Sequence, residues 1–253
     1  MVGRFTALDE AKNKKLKVTD LRILLWDIDG TILRWASSTT FTEYTRRVLE
    51  TVFGTAGRID EVPLTGMTDL QYIAESLSCE GITREAILER IGEISACYFC
   101  EIERAASNGA EFHVLPGVRD ALEAVSQHPR YRCAVLTGNF ETTARYKFNL
   151  VGLSDYFDLP GAFGDQSFDR RELPRLAAQG IKSHLNVELQ PSQFIVIGDT
   201  PDDIACARHF GARSVAVGTG HVYSIDELRA CEPDAVLPDL SNTEQVMRTL
   251  EKL

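Results

Sequence analysis

Short apolar runs recur along the 253-residue chain at positions 23–26, 133–136, 194–197, 214–217 and 235–237. Each is too short for a helix, and each is followed by apolar residues at helical spacing. Alternation of this kind predicts parallel strands joined by crossover helices. Several helix starts are marked in the second half. Thr200-Pro201-Asp202-Asp203 offers an N-cap, a proline at the first helical position and acid in the first turn, while Ser224 with Glu227 and Ser241 with Glu244 have capping-box spacing. The ends of the apolar runs are therefore strand-to-helix turns, where open α/β sheets place their ligands.

One region breaks the alternation. From about residue 40 to 108 no strand pattern stands out, whereas Tyr44, Val48, Val52 and then Ile87, Ile91, Ile94 and Tyr98 repeat at helical spacing. The prediction is a three-layer, Rossmann-like α/β core made of residues 1–38 and 109–253 around a parallel sheet. An all-helical domain, residues 39–108, is inserted after the first strand. Within the insert, residues 63–69 read as a loop, with Thr68 and Gln71 spaced as a capping box for the next helix. Ser107-Asn108-Gly109 reads as the return hinge.

Composition narrows the class. The chain is 44% hydrophobic and 25% charged, which describes an ordinary soluble globule, and its net charge of -10 argues against a general nucleic-acid or membrane-surface binder. No apolar run approaches the ~20 residues that cross a bilayer, and the polar start is unlike a signal peptide, so the cytoplasm is the expected compartment. Lys12, Lys14, Lys15 and Lys17 read as a solvated basic tail or helix face. Six cysteines are too sparse for a disulfide scaffold. Cys97 and Cys100 have metal or redox spacing, but they lie inside a helical pattern without a second pair or a nearby histidine, and read as reduced thiols.

The first apolar run ends in Asp27-Ile28-Asp29-Gly30-Thr31. If the extended geometry persists, two carboxylates one residue apart leave the sheet on the same side, and Gly30 permits a sharp turn. Like charges so close require a proton or a cation, and a hard divalent ion with oxygen ligands fits. An Asx turn alone would explain the motif equally well. Two further run ends carry suitable polar groups. Thr137-Gly138-Asn139 presents a hydroxyl and turn N–H groups to an anion, and Gly198-Asp199-Thr200-Pro201-Asp202-Asp203 places two carboxylates a helical turn apart.

Taken together, in this order and at strand ends, these segments resemble three of the four motifs of the haloacid-dehalogenase-like hydrolase superfamily, and within it the phosphoglycolate-phosphatase-like branch with a helical cap. The resemblance implies a magnesium-dependent phosphatase acting on a small phosphorylated metabolite, a phosphoglycolate-like acid or a sugar phosphate. By the same resemblance Asp27 is the nucleophile that becomes an aspartyl-phosphate, and Asp29 is the general acid and then the base. Magnesium would be held by Asp27, the Ile28 carbonyl and Asp199, with Asp203 direct or through water and Asp29 at the same acidic site. Thr137, Gly138 and Asn139 would hold the transferring phosphoryl group. The fourth motif supplies a lysine in the family, but residues 164–174 contain none, so Arg170 is expected to take its place, with Arg171 as second choice. Arg34, Thr65 and Thr68 are the expected substrate contacts. The alternatives are a sugar-phosphate mutase of the same family and a catalytically silent phospho-ligand binder. The acid at Asp29 disfavours a dehalogenase. The five histidines form no recognisable site, and the oligomeric state is not legible.

Overall fold

The computed structural model describes residues 18–37, 40–63 and 66–253; the basic run ending at Lys17 and the substrate candidate Thr65 lie outside them. The chain runs through β1 (Arg22–Trp26), β2 (Leu33–Ala36), α1 (Phe41–Phe53), α2 (Asp69–Leu77), α3 (Arg84–Glu89), α4 (Ile91–Ser107) and β3 (Glu111–Val114). It continues through α5 (Val118–Gln127), β4 (Tyr131–Val135), α6 (Glu141–Val151), α7 (Leu173–Leu185), β5 (Phe194–Gly198), α8 (Pro201–Phe210), β6 (Arg213–Val217), α9 (Ile225–Ala230), β7 (Ala235–Leu237) and α10 (Thr243–Glu251).

Five strands form one parallel sheet in the order β4-β1-β5-β6-β7. Each of the five apolar runs is one of these strands. After Arg22, β1 is apolar to its end because both of its faces are covered. Ile23 and Leu25 pack with Leu173, Ala177 and Ile181 of α7, whereas Leu24 and Trp26 pack with Leu122 and Val125 of α5 and Phe148 of α6. This gives the three-layer α/β arrangement. The register aligns Trp26 with Val135 on one side and with Ile197 on the other. Consequently the residues that follow β1, β4 and β5 emerge together at one edge of the sheet.

Helices α1 to α4 build a second apolar cluster containing Tyr44, Val48, Val52, Leu70, Tyr72, Ile73, Ile87, Ile94 and Tyr98. Phe140, from the loop between β4 and α6, is buried in the same cluster, its ring 5.1 Å from that of Tyr98. The inserted helices are thereby seated on the core. The 87–98 pattern is interrupted: it divides into α3 and α4 at Arg90, whose backbone (φ -107, ψ 13) leaves the helical region.

An antiparallel hairpin of β2 with β3 has no counterpart in the sequence pattern. It pairs Leu33 with Val114 and Ala36 with Glu111, and so brings the two connections of the helical insert side by side. Caps differ in two places. The N-cap of α10 is Asn242 rather than Ser241, its side chain accepting from the Gln245 N–H. Thr68 does cap α2 through the Gln71 N–H, but the Gln71 amide turns to Glu75 Oε1, 2.8 Å away, and no box closes.

Candidate active site

The three aligned strand ends open into a cavity of about 340 Å³ lined by Asp27, Asp29, Thr137, Gly138, Asn139, Arg170 and Asp199 from the core, and by Met67, Thr68 and Asp69 from the insert. Gly30 (φ +91) turns the chain here in a conformation that a side chain resists. A Cβ at that position would meet Asp199 Oδ2 at 2.3 Å, so the turn after β1 lies directly against the end of β5. Gly138 serves a similar close approach: a Cβ there would lie 2.2 Å from the Met67 carbonyl oxygen. The insert is fastened at this point, since the Asp69 N–H donates to the Gly138 carbonyl (2.7 Å) and the Phe140 N–H donates to Asp69 Oδ2 (2.9 Å).

Asp27, Asp199 and Asp203 are all buried and can each turn an oxygen toward one point, with those atoms within 4.8 Å of one another. Arg170 is the cation beside them. Its Nη2 donates to Asp27 Oδ1 (3.0 Å) and to Asp203 Oδ1 (2.6 Å), and its Nη1 lies against the turn at Gly138, 3.0 Å from where a Gly138 Cβ would stand. Arg170 Nε is buried without a partner, a donor left for an incoming oxygen. If all three carboxylates were ionised, the one guanidinium would leave about two negative charges uncompensated in a buried space. Burial, followed by the opposing pull of Arg170 and the push of Asp203 and Asp199, holds Asp27 well above the usual carboxylate range. Burial and then Asp203 raise Asp199 to about 7. This oxygen-only donor set and charge deficit fit a divalent cation such as magnesium.

The arrangement sorts the expected ligands. Asp203 contributes indirectly as well, because its Oδ2 accepts from the Thr200 N–H (3.1 Å) and hydroxyl (2.6 Å) in the capping box of α8. Thr31 donates its hydroxyl to Asp199 Oδ1 (3.0 Å) and orients that carboxylate. The Ile28 carbonyl accepts N–H bonds from Thr31, Ile32 and Leu33 within the turn, so its oxygen is already engaged there. The Asp29 side chain stands outside the group of three. Both its oxygens accept from Lys147 Nζ, at 2.9 and 2.7 Å, and Oδ2 accepts from Asn139 Nδ2 at 2.8 Å.

Thr137 is fully buried, and its Oγ1 accepts from the Asn139 N–H (3.3 Å) and Nδ2 (2.9 Å), leaving the hydroxyl proton to donate. Arg170 and Arg171 separate sharply. Arg171 is exposed and forks Asp169, its Nη2 2.7 Å from Oδ2, so the second-choice arginine faces away from the cavity. Arg34 lines the cavity and donates from Nη2 to the Thr219 carbonyl (2.7 Å), while its Nε is buried without a partner. Thr68 also lines the cavity, fully buried, with its oxygen engaged in capping α2. Lys147 and His221 are among the lining residues that sequence reasoning missed. The signal for Lys147 was available, since it falls on the inward stripe of α6 with Thr143, Ala144 and Phe148. His221 sits exposed beyond β6, and no spacing singles it out.

Residues 24–208 match the model of the family described as haloacid dehalogenase-like hydrolase. A curated relative, the phosphoglycolate phosphatase of Nitrosococcus oceani, is 24% identical over 229 residues, 86% of this chain and 92% of its own length. Among solved structures, β-phosphoglucomutase of Clostridium difficile is similar with a TM-score of 0.62 at 19% identity, over 92% of this chain and 98% of that one. A predicted phosphoglycolate phosphatase of Haemophilus somnus 129PT gives 0.60 at 18%, over 91% and 100%. Likeness at this level of identity carries the fold, a core with an inserted helical region.

Proposed function

The chain belongs to the haloacid dehalogenase-like hydrolase family, and from that premise we propose that it is a magnesium-dependent phosphatase of small phosphorylated metabolites, working through an aspartyl-phosphate on Asp27. The observation that carries this reading is the division of one cavity between a buried cluster, Asp27, Asp199 and Asp203 bridged by Arg170, and a separate carboxylate, Asp29, held by Lys147.

When bound, the cation neutralises the carboxylate cluster and the phosphoryl oxygens, which lets two anions meet. Asp27 then attacks phosphorus through a carboxylate oxygen as the ester P–O bond breaks. The Arg170 guanidinium, the Thr137 hydroxyl and the N–H groups of the turn at Gly138 and Asn139 hold the equatorial oxygens, where charge gathers in the transition state. Asp29 gives its proton to the leaving alkoxide. In the second half it takes a proton from water, whose oxygen attacks the phosphorus of the acyl phosphate, releasing inorganic phosphate and restoring Asp27.

Residues 39–108 act in this reading as the cap, with Met67, Thr68 and Asp69 facing the substrate. Arg34 faces the leaving group. It has no carboxylate partner among the described residues, and its buried free Nε suits an oxygen-rich substituent such as a carboxylate or sugar hydroxyl.

The test is phosphate release from a panel of phosphomonoesters, including 2-phosphoglycolate and hexose phosphates, with magnesium or with a chelator. Release by the natural chain, lost with the chelator and in Asp27→Asn, is expected. Persistent release by Asp27→Asn would sink the assignment of the nucleophile, and isomer formation without free phosphate would make the protein a mutase.

A further inference from the structure

A buried ammonium is costly unless all of its protons are matched. Lys147 is 3% exposed, on the face of α6 that otherwise carries Thr143, Ala144 and Phe148 into the interior. Its three N–H donors meet three acceptors: Asp29 Oδ1 at 2.9 Å, Asp29 Oδ2 at 2.7 Å and Asn139 Oδ1 at 2.7 Å. Phe112 of the β2–β3 hairpin covers the ammonium, its ring centroid 5.9 Å from Nζ. Asn139 closes the figure by donating from Nδ2 both to Asp29 Oδ2 (2.8 Å) and to Thr137 Oγ1 (2.9 Å). The Asp29 side chain, 43% exposed toward the cavity, would otherwise be free to rotate. Three hydrogen bonds from two residues fix it instead.

We infer that Lys147 is a positioning residue for Asp29, locking the plane of its carboxylate and joining it to the Thr137–Asn139 loop as one unit. The inference rests on the phosphatase reading above. Lys147 stands apart from Arg170, which bridges Asp27 and Asp203 and takes the place of the family lysine in this reading. Lys147 is not a substrate cation, since no proton of Nζ is left to offer. The two buried cations among the described residues are divided, one to each member of the Asp27–Asp29 pair. Lys147 therefore acts on the step in which Asp29 delivers or takes a proton, and leaves phosphoryl binding to Arg170 and Thr137.

A residue with this role has a kinetic signature. Misplacing an acid–base group by about 1 Å costs on the order of 10²-fold, and the loss falls on esters whose leaving oxygen needs a proton. In the magnesium-loaded protein, Lys147→Met is expected to lower kcat on an alkyl phosphate by roughly 10- to 100-fold with little change in KM. On para-nitrophenyl phosphate, whose leaving group departs as a stable anion, the loss is expected to be much smaller. Lys147→Arg, which keeps the charge and a fork for the carboxylate, should recover part of the loss, and Lys147→Met should add nothing in an Asp29→Asn background. A rise in KM at unchanged kcat, equal losses on both esters, or an additive loss in the double variant would each overturn the role. If Lys147→Met does not fold, Lys147→Arg and Lys147→Gln carry the same comparison of the two esters. A natural chain inactive on both esters overturns the phosphatase reading and the inference with it, whereas an active chain with equal losses overturns the inference alone.

Discussion

The two halves of the cavity start from carboxylates two positions apart in the chain and have opposite surroundings. Around Asp27 the charged groups are buried: two more aspartates and one arginine crowd together, and the carboxylates outnumber the cation. Around Asp29 the charge is balanced, one lysine to one carboxylate, and the side chain opens onto the cavity. A crowded, underneutralised cluster suits cation binding and attack on an anion, because the cation supplies what the protein omits. A balanced pair facing the cavity suits proton exchange with the leaving group and water. The lesson is that Asp-x-Asp spacing assigns no roles by itself. The partners that α6 and the Arg170 turn bring from more than 100 residues away separate the two.

This division can be broken from either side. Asp29→Asn keeps the shape but removes the proposed acid and base, and is expected to lower alkyl phosphate turnover by roughly 10²–10⁴-fold while magnesium binding, followed by calorimetry, is kept. Loss of magnesium binding in that variant would place Asp29 in the cluster after all. On the other side, Arg170→Ala removes the cation bridging Asp27 and Asp203, and turnover should fall by roughly 10²–10³-fold. Arg171→Ala, which breaks an exposed pair with Asp169, should leave turnover within a few-fold; the reverse order of the two would move the role by one residue.

A smaller effect concerns how the inserted helices are held over both halves. Asp69 accepts from the Phe140 N–H, and Lys147, Asp29 and Asp165 are the charged groups that act on it. Burial raises Asp69 to about 7 despite the Phe140 bond and Lys147, which favour its charge. The folded protein thus holds this proton more tightly than the unfolded chain, whose carboxylate titrates near 4. The contribution is full below about pH 4 and declines as pH rises toward 7. Asp69→Asn should flatten the fall of melting temperature between about pH 5 and 7, where this one proton changes stability by at most roughly 1.4 kcal/mol for each step of one in pH. An unchanged slope would remove Asp69 as the titrating link.

Much of the core was legible because its signal is local. Residues 23–26, 133–136 and 194–197 announce buried strands, and the residues after them form the cavity floor. The β2–β3 hairpin was not legible, since Leu33 and Val114 pair across the whole helical insert and each strand has only four residues. Asp27, Asp199 and Asp203 could be grouped through the family resemblance, and Arg170 could be chosen over Arg171 only as a preference; the buried face of the short turn at Arg170–Glu172 is what separates them. Lys147 escapes sequence reading because a single lysine in an amphipathic helix usually faces water. Its place on the apolar stripe was the available clue, and only the fold shows that Asp29 lies opposite.

The central claim, that the buried carboxylate attacks and the lysine-held carboxylate moves protons, is tested most directly by trapping the intermediate. Asp29→Asn, mixed with magnesium and para-nitrophenyl phosphate, quenched in acid and digested, should show one added phosphoryl group on the peptide carrying Asp27, removed when Asp27→Asn is introduced as well. Phosphate on any other residue, or nitrophenol release by the Asp27→Asn variant at the rate of the natural chain, would contradict it.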